Sequence, residues 1–175
     1  MDQPQAGYKY LKTYQLATVI YDLTVQFCDR YIDKRSRTHD QMVQAARSGK
    51  QNIAEGHQET SLKGYIKLLG VSRASFVELL EDYLDFARQH KILVWPKDDP
   101  RIRELREIRV IGDLNHPDTP ELPNSPENSI NLLLTLLYQE TYLLQKQITA
   151  LEQKFMTEGG YTENLFKKRL QHRQS

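Results

Sequence analysis

The chain has 175 residues, 39% hydrophobic and 27% charged, enough apolar material for one buried core and too much for wholesale disorder. With 24 Lys and Arg against 23 Asp and Glu, the net charge of +1 excludes nucleic-acid binding through overall charge and leaves only local patches. Its single cysteine, Cys28, excludes an internal disulfide and a cysteine zinc cluster, and no apolar run approaches the roughly 20 residues of a membrane span. Met1–Gln5 lacks the basic-then-apolar pattern of a signal peptide, so the expectation is a soluble, cytoplasmic protein without cofactor or membrane contact.

Six of the seven prolines fall between Pro96 and Pro126. Proline-free blocks on both sides predict long helices around an insertion. The first helix is expected over about 9–34. Tyr10, Tyr14, Ala17, Tyr21, Thr24, Cys28 and Tyr31 step by four and three, and Leu16, Ile20, Leu23 and Phe27 form a second stripe beside them. A second helix over about 40–56 has small inner residues that allow close approach, with Gly56 as its expected left-handed stop. A third, over about 61–90, starts at a Thr60 or Ser61 cap and carries Tyr65, Leu69, Ser72, Phe76, Leu79, Tyr83, Phe86 and His90.

The insertion spans about 91–125. Asp99-Pro100 can start a short helix with Ile102, Leu105 and Ile108 on one side and Gly112 as its stop. Ser125-Pro126-Glu127 is a strong start for a fourth long helix, about 126–157. Ile130, Leu134, Leu137, Thr141, Leu144, Ile148, Leu151 and Phe155 keep the four–three rhythm there. Leu132, Leu133, Leu136 and Leu143 add a second apolar face, which reads as an oligomer interface. The fold class is therefore all-α, an antiparallel up-and-down four-helix bundle over about 1–158, with a basic C-terminal tail over about 159–175.

The segment Ser48-Gly49-Lys50-Gln51-Asn52-Ile53-Ala54-Glu55-Gly56, followed by Ala74-Ser75-Phe76-Val77-Glu78-Leu79, resembles a bacterial family of four-helix-bundle proteins. These are the 23S rRNA intervening-sequence proteins, whose relatives include the accessory protein of diversity-generating retroelements. The insertion and tail are similar to the longer "four helix bundle suffix" members. Ser48, Asn52, Ile53, Ala54, Glu55, Gly56, Ser75 and Glu78 match the motif, while Lys50 stands where the family often has proline. The resemblance implies a non-enzymatic homo-oligomer, a pentameric ring, that accompanies nucleic acid or a nucleic-acid enzyme such as a reverse transcriptase.

Bland readings compete with sharp ones. Asn52 and Glu55 read as a buried polar pair that fixes helix packing, since no nucleophile or base stands beside them in a catalytic spacing. Glu55 and His57 are two apart, and Asp113 and His116 lie in the Pro-rich loop, so the Glu-x-x-His pairs of a di-iron bundle are missing. His116-Pro117-Asp118 resembles a co-chaperone tripeptide, but no basic helix runs into it. Tyr14, Tyr21, Tyr65, Tyr83, Tyr138 and Tyr142 are expected to pack against apolar stripes. Arg30, Lys34, Arg35 and Arg37 form one basic cluster, and Lys167, Lys168, Arg169 and Arg173 another. Both are candidate contacts to RNA or DNA, because phosphate contacts sum over the copies in a ring. A purely protein-binding assembly module is the alternative.

Overall fold

The computed structural model describes residues 7–107 and 121–174. Every regular element among them is helical: a 3-10 turn over Gly7–Tyr10, then α1 (Lys12–Tyr31), α2 (Arg37–Gln58), α3 (Leu62–Gln89), α4 (Pro100–Glu107), α5 (Pro126–Glu158) and α6 (Tyr161–Gln174). The chain is all-α, as its periodicity predicts. Ile108, Gly112, the Asp113–His116 pair and His116-Pro117-Asp118 lie outside the described residues.

Local chemistry sets the helix starts. Ser36 Oγ accepts from the Thr38 amide at 3.2 Å, which begins α2 three residues earlier than its apolar pattern suggests. Ser61 Oγ accepts from the Gly64 amide at 3.1 Å and starts α3. Ser125 Oγ accepts from the Asn128 amide at 3.3 Å, with Pro126 in the first turn of α5. α3 ends where Lys91 takes a φ of 54° and the Ile92 amide reaches back 2.9 Å to the Ala87 carbonyl. That is a Schellman-type close with lysine where glycine is usual.

α1 packs against α2 and α5, and α3 packs against the same two helices. Both stripes of α1 are used, since Leu16, Ala17, Ile20, Leu23, Thr24, Phe27 and Cys28 are all buried. Phe27 packs edge-on against Tyr83 and Phe86, with centroids 5.0 and 5.1 Å away. Tyr83 donates to Thr24 Oγ1 at 3.0 Å inside the core. Gln147 ties three helices together: its Nε2 donates to Tyr65 OH at 2.7 Å, and its Oε1 accepts from Thr13 at 2.9 Å. At the other end of α3, Asn131 of α5 binds the chain just beyond that helix. Its Nδ2 donates to the Leu93 carbonyl at 2.9 Å and its Oδ1 accepts from the Trp95 amide at 2.8 Å.

The described residues of the insertion pack on the helices. Trp95 is buried, donates to Glu127 Oε1 at 2.7 Å, and lies under the Arg101 guanidinium at 3.9 Å. Ile102 of α4 is buried and Leu105 packs on the core. The returning segment buries Leu122, whose amide donates to Gln26 Oε1 at 3.0 Å.

Two expectations need correction. Gly56 does not stop α2 in a left-handed conformation: it is a buried residue inside the helix, and Gly159 is the positive-φ glycine among the described residues. Its missing side chain is instead steric, because a Cβ there would stand 2.9 Å from the Tyr65 ring. Tyr138 and Tyr142 point away from the core on α5 and are 55% and 60% exposed, while Tyr83 is buried and Tyr14, Tyr21 and Tyr65 are partly so.

Candidate functional site

The motif residues meet along the seam between α2 and α3. Gly49 lets the helices touch, since a Cβ there would stand 2.5 Å from Cζ of Phe76. Ser72 Oγ donates to the Gly49 carbonyl at 2.8 Å, and the hydroxyls of Ser48 and Ser75 lie 3.1 Å apart. Asn52 Nδ2 donates to the Ser48 carbonyl at 2.8 Å. Ile53, Ala54 and Gly56 are buried beside them. The serine and asparagine groups of the motif thus have hydrogen-bond partners within the seam, and its task is close helix packing. Glu55 departs from expectation: it is exposed and makes no pair with Asn52, because three residues further round the helix it faces solvent. Glu78 is likewise exposed. Lys50, the departure from the family pattern, lies 5.0 Å from the Tyr21 ring centre and 6.0 Å from that of Tyr14.

The first basic cluster is partly engaged by its own chain. Arg30 donates to the Leu122 and Pro123 carbonyls at 3.2 and 3.0 Å, bracing the end of the insertion. Lys34 sits 3.2 Å from Asp29, and with His39 it holds the Asp29 carboxyl below the usual range. Arg35 and Arg37 remain exposed. The second cluster differs. Residues expected as a basic tail form α6, where Lys167, Lys168, Arg169 and Arg173 are all exposed and make no ion pair among the described residues. α6 forms no packed interface with another described helix. Glu163 caps its start by accepting from the Gly160 amide at 3.1 Å.

The second apolar face of α5 is covered within the chain. Leu132, Leu133 and Leu136 are 2%, 0% and 1% exposed, and Leu143 is partly buried against the core. Their assignment to an oligomer interface loses its ground, because all four are buried or partly buried within the core of a single chain, which Leu122 of the insertion shares.

The periodic reading also placed Thr141 inside, where the core position belongs to Glu140. Glu140 is fully buried, neither carboxylate oxygen has a hydrogen-bond partner, and burial pushes its pKa well above the carboxylate range. The Leu137–Glu140–Leu144 spacing is the signal that could have identified it.

No described group is arranged for nucleophilic or metal chemistry. Burial, then Asp29 and Asp82, pushes the Cys28 thiol up to about 12, so it stays protonated and inert. Among the described residues, no cluster of His, Cys, Asp or Glu could hold a metal ion, and no helix is long and apolar enough to cross a membrane.

Searches of curated proteins and of solved structures gave no match. Residues 9–111, from the first turn through α1, α2, α3 and α4, match the family described as 23S rRNA-intervening sequence protein. That segment contains the whole Ser48–Gly56 and Ser75–Glu78 seam and covers more than half of the chain. The chain belongs to the 23S rRNA-intervening sequence protein family.

Proposed function

We propose that this protein is a non-enzymatic, self-associating accessory scaffold that engages nucleic acid or a nucleic-acid enzyme such as a reverse transcriptase. In this reading α1, α2, α3 and α5 form an antiparallel up-and-down four-helix bundle. The pairing of each helix with two neighbours supports it, as do the Tyr65–Gln147 bond and the Asn131 bonds, which join opposite ends of α3 and α5. A five-copy ring is what resemblance to the retroelement accessory proteins implies. The family description, which names an intervening sequence of rRNA, adds a link to nucleic acid.

The observation that carries the reading is α6. It bears four cations with no ion pair among the described residues, has exposed Tyr161 and Phe166 beside them, and forms no packed interface with another described helix. Cations near aromatic faces suit a phosphate backbone and its bases. A mobility-shift assay of the full chain with single-stranded and duplex RNA and DNA tests it. At low salt a shift is expected, weakening on the order of tenfold or more as salt is raised, because each phosphate neutralised releases counterions. Reversing Lys167, Lys168, Arg169 and Arg173 to Glu should abolish the shift. A wild-type chain that shifts no nucleic acid at low salt would leave the protein-binding alternative. That alternative has its own support in the acidic outer face of α3.

A further inference from the structure

α6 and the outer face of α3 carry matching patterns. On α3 the solvent side runs from Val71, Ala74 and Val77 to Glu78, Glu81, Asp82 and Asp85. Val71 and Val77 are 42% and 37% exposed, and a Cβ at neighbouring Gly70 would meet nothing within 4 Å, so the apolar half is bare. At 100° per residue, Val71, Ala74, Glu78, Glu81, Asp82 and Asp85 fall within about 100° of one another, on one face. Asp85 pairs with Arg88 at 2.7 Å, while Glu78, Glu81 and Asp82 have no ion pair among the described residues. Partial burial raises the Asp82 pKa, and Glu78 and Asp85 push it further, so the patch repels itself.

α6 repeats the order with opposite charge. Tyr161 and Leu165, 57% and 53% exposed, come first; Lys168 and Arg169 follow. These four also lie within about 100° on a helical wheel. On each helix seven residues, about 10.5 Å, separate the first apolar residue of the face from its first charged one (Val71 to Glu78, Tyr161 to Lys168), so the apolar turns and the charged turns can lie in register when the helices run side by side. At 14 residues α6 is at the marginal limit for a helix standing alone in water, and it needs a surface to lie on.

We infer that α6 of one copy docks on the outer face of α3 of a second copy, with Tyr161 and Leu165 on Val71 and Ala74, and with Lys168 and Arg169 on Glu78, Glu81 and Asp82. This rests on the self-associating reading and names its contact; Lys167 and Arg173 lie off the docking face of α6 and remain for phosphate. A contact between two different surfaces is heterologous and closes into a ring when the rotation between copies permits. The opposed charges set the register and direction of docking more than its raw strength.

The test is the mass of the full chain by analytical ultracentrifugation, with circular dichroism as a check on folding. Three variants are compared with wild type: Lys168→Glu with Arg169→Glu, Glu78→Lys with Glu81→Lys, and all four changes together. Lys168, Arg169, Glu78 and Glu81 are all exposed, so helicity should not change. Each pair alone should weaken association by about tenfold or more, and the four-fold variant should recover it, since the reversed charges again oppose. An oligomeric wild type whose mass neither pair alters overturns the docking and leaves self-association standing. Loss of association without recovery in the four-fold variant also overturns it. An α6 reversal that abolishes an RNA shift while leaving the mass unchanged gives α6 to nucleic acid and overturns it too. A wild-type monomer at every concentration overturns both the docking and the scaffold reading.

Discussion

The two ends of α5 live in different surroundings. From Ser129 to Leu137 every residue is buried, whichever way its side chain points. From Thr149 to Glu158 all but Leu151 are exposed, and α6 continues bare from there. The N-terminal half is wrapped: α1, α3 and α4 all pack on α5, Leu122 joins the same core, and Trp95 bonds to Asn131 and Glu127. The C-terminal half has no second layer among the described residues. An apolar helix face therefore calls for cover without specifying whose. Here the same chain provides it for the leucines, and among the described residues the far end is left bare.

The wrapped half can be broken from the insertion side. Trp95→Ala removes the buried indole, its bond to Glu127 and the platform under Arg101, and should lower stability by about 3–4 kcal/mol. The urea midpoint measures it; a shift below about 0.5 kcal/mol would mean that the insertion is not cover.

Glu140, at the boundary between the halves, sharpens the contrast with opposite sign. Its folded pKa is raised, so the native state keeps a proton that the unfolded chain gives up. Stability is therefore fully present below the ordinary carboxyl range and falls as pH rises through and above it, until Glu140's raised folded value is passed. Glu140→Leu should stabilise the protein by about 1–3 kcal/mol at pH 7, with the gain shrinking toward pH 4. A destabilised variant at pH 7 would show that Glu140 has a partner in the working state.

The smallest effect belongs to the bare end. Removing residues 161–175 should leave the midpoint of thermal unfolding within about 1 °C of wild type, because α6 packs on no described helix. A larger drop in a dilute, monomeric sample would show that α6 docks on its own bundle.

Much of this was legible in the residues. Steps of four and three found three of the four long helices, and the caps at Ser61 and Ser125 placed two starts to within a residue. The small residues of α2 announced the close seam that Gly49 and Phe76 make. The failures have physical causes. Thr141 and Glu140 both satisfy a four–three rhythm from Leu137, and polarity argued for the wrong one. Trp95 and Leu122 belong to no periodic stretch, so nothing in the pattern marks them as buried. Arg30 reads as a free cation because the carbonyls of Leu122 and Pro123 that hold it lie more than ninety residues away. α6 mixes apolar and basic residues on one face, Tyr161 and Leu165 with Lys168 and Arg169, so no purely apolar stripe marks it as a helix.

The central claim is that the second leucine face of α5 is filled by its own chain. Replacing Leu133 and Leu136 by Glu and following helicity and mass together tests it most directly. Two unpaired carboxylates at fully enclosed positions should unfold the protein, with loss of helical circular dichroism and of a cooperative melt. A folded, fully helical monomer would contradict the account and return those leucines to an interface between subunits.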